Sequence, residues 1–119
     1  MSARTDLATA LQNALGTTFR VVAYDVAEVI SKPTVMVYRE RVTAGPSFAL
    51  QVHTFALWVV GPGQMGEQTV AKLDDLLDDV LGVLDDLPQV TWSEALYQVL
   101  DDKYPAFKVT AEVTTRKDY

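Results

Sequence analysis

Carboxylates, one histidine and a glycine-rich turn are the residues here that could do chemistry. Six aspartates crowd the run "LDDLLDDVLGVLDDLP", Leu73 to Pro88: Asp74, Asp75, Asp78, Asp79, Asp85 and Asp86. Paired carboxylates serve calcium sites and acid-base catalysis. An EF-hand loop, however, needs oxygen ligands at alternate positions, a central glycine and a closing Glu, and the run has none of that order. At about 100° per residue, Leu73, Leu76, Leu77, Val80, Val83, Leu84 and Leu87 gather on one side, with Leu81 at its edge. The aspartates fall on the other side. The spacing predicts an amphipathic helix whose acidic face is solvated, a docking surface being the alternative use.

His53 is the single histidine and lies in a strand-like stretch, where an ordinary hydrogen-bonded role is expected over a catalytic one. No nucleophile elbow accompanies it. "GPGQMG" (Gly61 to Gly66) follows a strand and precedes a helix, the context for phosphate binding. It lacks the Gly-Lys-Ser/Thr ending of a P-loop and the dinucleotide spacing, so a strand-to-helix turn is expected. The chain has no cysteine, which excludes disulfides, thiol catalysis and cysteine-ligated zinc. No catalytic residue, metal site or cofactor is predicted.

With 119 residues the chain is expected to form one domain, residues 1–119. A hydrophobic share of 49% excludes general disorder and is high for a small monomer, which points to buried subunit contacts. The net charge of -6 argues against holding nucleic acid by its phosphates. No secretory h-region opens the sequence, and the longest strictly apolar run, Phe55 to Val60, is too short to span a bilayer. The expectation is a soluble intracellular product with no membrane partner.

Along the chain, Thr5 or Asp6 can cap a first helix carrying Leu7, Leu11 and Leu15, which Gly16 ends. Thr18 to Tyr24 reads as a strand, and Val26 to Ile30 as a short strand or extended connection. Thr34 to Val42 is a strand beginning after Pro33, with Val35, Val37, Arg39 and Arg41 expected on one face. "TAGPS" (Thr43 to Ser47) turns the chain into a long strand, Phe48 to Val60, whose doubly apolar second half should be central. The acidic helix then runs to about Leu87, where Pro88 stops it. The tail reads as a second hairpin. Its first arm, Val90 to Asp102, sets Trp92, Glu94, Leu96, Gln98 and Leu100 opposite Ser93, Ala95, Tyr97 and Val99. A helix over Trp92 to Asp101 is the alternative, because Glu94, Ala95 and Leu96 favour it. The second arm points Phe107, Val109, Ala111 and Val113 inward. The whole is an α+β layer architecture: a mainly antiparallel sheet of four to five strands with two helices packed on it.

Three stretches together carry a resemblance: "VVAYDVAEVISKPTVMVYRE" (Val21 to Glu40), the strand, turn and acidic helix from Phe48 to Leu87, and "LDDKYPAFKVTAEV" (Leu100 to Val113). In this order and length the chain resembles the tail terminator (tail completion) proteins of long-tailed bacteriophages. The likeness covers nearly the whole chain by layout and loose pattern. It implies a structural protein, not an enzyme, located at the head-proximal end of the virion tail and in the host cytoplasm during assembly. Such proteins form a homo-oligomeric ring of six subunits on the tail tube protein, end its polymerisation and present the surface that a head-tail connector protein joins. DNA would pass without specific binding. The alternatives are another head-tail connector component or a small-molecule-binding or enzymatic α+β domain. Arg39 and Arg41, beside the turn holding Gly45 and Pro46, are the candidate subunit or tail interface.

Overall fold

A computed structural model describes residues 3–16, 19–22, 33–45, 49–61, 67–100 and 104–116. The elements are α1 (Ala3–Leu15), β1 (Arg20–Val22), β2 (Thr34–Ala44), β3 (Leu50–Val60), α2 (Glu67–Asp86), β4 (Val90–Leu100) and β5 (Tyr104–Arg116). The five strands form one sheet in the order β1-β2-β3-β5-β4, with β1 parallel to β2 and every other pairing antiparallel. Two helices on a mostly antiparallel sheet make this an α+β fold. Trp92 to Leu100 is strand, which decides between the two readings of that stretch.

Both helices bury their apolar stripe against the same face of the sheet. Leu7 and Leu11 of α1 and Leu73, Leu76, Leu77, Val80 and Leu84 of α2 meet Val35, Val37, Phe55, Leu57, Val59, Val109, Ala111 and Val113. Burying each large apolar side chain contributes roughly 1.5–3 kcal/mol, so α2 is held by its stripe despite six poorly helix-forming aspartates. β3 is the middle strand, and from His53 to Val60 only Trp58 is not buried. The double apolarity of its second half required that place.

α1 begins at Ala3, so Thr5 and Asp6 lie in its first turns and neither is the cap expected from sequence. Asp6 there still complements the positive end of the helix dipole. Gly16 ends the helix with φ of 73°, the left-handed conformation glycine adopts at no steric cost. The Gln12 side chain then ties helix to strand: its Nε2 donates to the Gly16 and Phe19 carbonyls at 2.8 and 2.9 Å, and its Oε1 accepts from the Val21 N–H at 2.9 Å. The stretch Val26 to Ile30 lies outside the described residues.

Two register shifts break the strand alternation. One falls between Arg39 and Arg41 on β2, the other between Trp92 and Glu94 on β4. Each inserts one residue, Glu40 or Ser93, that has no partner in the adjoining strand, and so turns later side chains to the opposite face.

Candidate functional site

The bulge at Glu40 decides where the two candidate arginines point. Arg39 pairs with Phe55, on the helix-covered face, whereas Arg41 pairs with Thr54, on the other. The expectation that both share a face is therefore corrected: the extra residue inserts half a pleat between them. Both are exposed, as are all residues from Arg39 to Ala44. Glu40 itself bonds Lys108 of β5 at 3.0 Å across the open face, a partly exposed ion pair worth at most about 1 kcal/mol.

Gly45 closes the β2–β3 hairpin by donating its N–H to the Leu50 carbonyl at 2.9 Å. A Cβ at this position would lie 2.7 Å from the Cβ of Leu50, so the close approach requires glycine. Pro46 lies outside the described residues, as do residues 62–66 of the glycine-rich turn.

Asp74, Asp75, Asp78, Asp79, Asp85 and Asp86 are all exposed on the outer side of α2. No group of three or more His, Asp or Glu side chains among the described residues is placed to hold a metal ion. Asp85 does more than face water: its Oδ1 accepts from the Trp92 indole N–H at 2.9 Å. That contact exists because of the second bulge. Trp92 pairs with Ala111 and lies on the helix side, whereas Glu94 pairs with Thr110 on the open side. The sequence pattern had set Trp92 beside Glu94 and Leu96; the unpartnered Ser93 separates them.

His53 is 5% exposed, its ring stacked on Phe55 with centroids 6.1 Å apart. Its Nε2 shares a 2.9 Å hydrogen bond with the Thr115 hydroxyl, while Nδ1 has no partner among the described residues. Burial, with a smaller contribution from the Arg39 charge, lowers its pKa below the ordinary 6.5. It is a neutral, hydrogen-bonded strand residue at neutral pH. Nearby, a cleft of about 280 Å³ opens where Asp6, Leu7 and Ala10 of α1 meet the α2–β4 link (Leu87 to Val90) and Val113 and Thr115 of β5. Its walls are mainly apolar, and its volume falls just below the roughly 300–1,000 Å³ of most small-molecule sites.

Among the described residues, the large apolar side chains that remain exposed are on the strands at the sheet edges. No family model matches the chain, and neither does any curated protein. Leu96, Tyr97 and Val99 on β4 are 48%, 44% and 38% exposed, and Val42 on β2 is 41% exposed. Among the described residues, β4 ends the sheet on one side along all eleven of its residues. On the other side β1 covers only Thr34 to Met36 of β2, leaving Val37 to Ala44 without a neighbouring strand among the described residues. Sequence reading missed both edges, because strand order, not local pattern, determines which strands are last. One signal was available: Val90 to Leu100 carries no Lys, Arg or Pro, the residues that usually guard an edge.

Proposed function

We propose that this chain is a structural subunit of a long-tailed bacteriophage. Six copies would form a ring at the head-proximal end of the tail tube, where the ring ends tube polymerisation and offers the surface that the head joins. The observation that carries this reading is a pair of edges on opposite sides of one sheet, β4 and Val37 to Ala44 of β2, that no strand covers among the described residues, in a chain whose three quoted stretches resemble tail terminators. A subunit with an uncovered edge on each side has a natural place for a neighbour on each side. The net charge of -6 suits a conduit through which DNA slides, since phosphates are repelled. The partners implied are the tail tube protein on one side and a head-tail connector protein on the other.

Micrographs of virions lacking the protein test this directly. The expected outcome is overlong tails and full heads left unjoined. Tails of normal length that fail to join heads would instead assign the chain to another connector layer. Normal tails attached to heads would refute both. The cleft beside Asp6 and Thr115 favours a second reading, a small-molecule-binding or enzymatic domain. A rise in melting temperature on adding one metabolite from a screen would support it.

A further inference from the structure

We infer that the cleft between α1, the α2–β4 link and β5 binds a small organic amine, an apolar body of one ring carrying a single ammonium group. This ligand class rests on the reading of the cleft as a small-molecule site and is independent of the tail ring. All nine residues that line the cleft lie within the described parts of the chain. Leu7 and Val113 form buried wall, whereas Leu87 and Val90 are half-buried and keep apolar surface that a ligand would cover. An apolar cavity of about 150 Å³ takes benzene. The cleft's volume of about 280 Å³ therefore admits one ring with a short side chain.

Electrostatics select the head group. Asp6 is the one charged residue of the lining, and it is exposed with no hydrogen-bond or ion-pair partner among the described residues. The positive end of α1 offsets that charge only in part, since a helix end counts as about half a unit charge. Arg4, two residues earlier, stands about 200° away around the helix. A second wall carries the same sign. α2 ends at Asp86, and Leu87, Pro88 and Gln89 lead from its negative end into the lining. Cations usually complement such an end, yet the last turn of α2 has no basic residue. The Val90 N–H, four residues on from Asp86, donates to the Leu87 carbonyl instead at 3.1 Å, so the Asp86 carbonyl lacks its helical donor. A carboxylate and a helix C-terminus around apolar walls suit an ammonium group on an apolar body, and both would repel an anion. Among the described residues no group of three His, Asp or Glu side chains is placed to hold a bare metal ion, so the cation that fits is an organic one. Thr115 adds a polar point: its hydroxyl shares one hydrogen bond with His53 and retains further bonding capacity.

Three probes that share a ring and differ in head-group charge test this: 2-phenylethylamine, 2-phenylethanol and 3-phenylpropanoate. Each is titrated at neutral pH into the whole chain, and binding is read from amide NMR shifts. The expected shifts centre on Leu7, Gln89, Val90, Val113 and Thr115. The amine should bind about two- to fivefold more tightly than the alcohol, the range of an exposed ion pair, and the acid most weakly of all. High salt should shrink that preference. Asp6→Asn should remove most of it while the alcohol binds as before. Asp6 is exposed, so this variant should keep the parent spectrum away from the cleft. A preference that survives Asp6→Asn intact would overturn the inference, as would amine shifts centred elsewhere on the chain. Equal binding of amine and alcohol, or tightest binding of the acid, would overturn the amine and keep the cleft as a ligand site. No shift with any of the three probes would remove both.

Discussion

β2 and β4 are the two strands whose edges are long and uncovered among the described residues, and each holds one bulge, yet the bulges act on different material. Beyond Glu40 every residue of β2 is exposed, so the shift merely exchanges one wet face for another and sends Arg41 to the open side. Around Ser93 the residues toward the helix face are Val90, Trp92 and Ala95, all packed against the main core. There the shift brings Trp92 under the end of α2, where Asp85 receives its N–H. A bulge therefore has no fixed energetic meaning. Its value depends on what the reversed side chains find on the other face.

Deleting one residue at each bulge should separate the two strands by the largest difference in stability. Without Ser93, strand alternation would turn Val90 and Trp92 out of the core, an apolar loss of about 2–4 kcal/mol by analogy with large-to-small core changes. Without Glu40, the reversed residues are exposed before and after, and the cost should be about 1 kcal/mol or less, chiefly the Lys108 ion pair and local turn strain. Urea unfolding of the two deletion variants checks both. Equal losses would mean that the bulges themselves, rather than their neighbours, set the energy.

A smaller effect isolates the Trp92 contact. Asp85→Ala should cost about 0.5–1.5 kcal/mol, the usual net worth of one hydrogen bond, and Asp85→Asn less because the amide oxygen still accepts. Asp86→Ala, one residue on and without that bond, is the control and should stay within about 0.5 kcal/mol of the parent.

His53 supplies a pH test of the arm where β2 runs beside β3. Its pKa in the folded protein lies below 6.5, so the unfolded chain binds the proton first. Stability is then complete above about pH 6.5 and falls as the pH drops from there toward the lowered folded value. His53→Gln should flatten that part of the stability curve, after allowance for carboxylates that titrate lower. An unchanged slope would assign the acid sensitivity elsewhere.

The smallest change is expected on the acidic helix. Asp74 with Asp78 and Asp75 with Asp79 repel by roughly 0.2–0.5 kcal/mol per pair. Replacing all four by Asn should leave thermal stability level or slightly higher, with calcium and chelator making no difference. A loss of several kcal/mol would mean that these carboxylates are paired in a way their exposure gives no sign of.

Local pattern carried the elements well, since burial follows residue type. The stripe of α2, the inward set Val109, Ala111 and Val113 of β5, the central place of β3 and the stop at Gly16 were all legible. What was not legible depends on partners distant in sequence. Nothing in "RER" or "WSE" distinguishes a straight strand from a bulged one, so the faces of Arg41 and Trp92 were misread. The parallel pairing of β1 with β2 likewise needs contacts that period-two alternation does not encode. Of the candidate residues, Arg39 and Arg41 are exposed and Gly45 is half-buried at the turn that follows them, whereas Glu94 and Leu96 draw notice only once β4 is seen to be the last strand.

The three backbone bonds of Gln12 have a consequence in time as well as in place. A thirteen-residue helix is only marginally stable alone in water, and the β1–β2 pairing spans just three residues. One amide side chain links the end of the first to the start of the second, so neither can open without stranding the polar groups of the other. α1 and the stretch Phe19 to Val21 therefore form one opening unit, and their amide protons should exchange with solvent together. The Val21 proton is the reporter: with Gln12 present it should exchange at the pace of the helix, and in Gln12→Ala it should exchange far sooner.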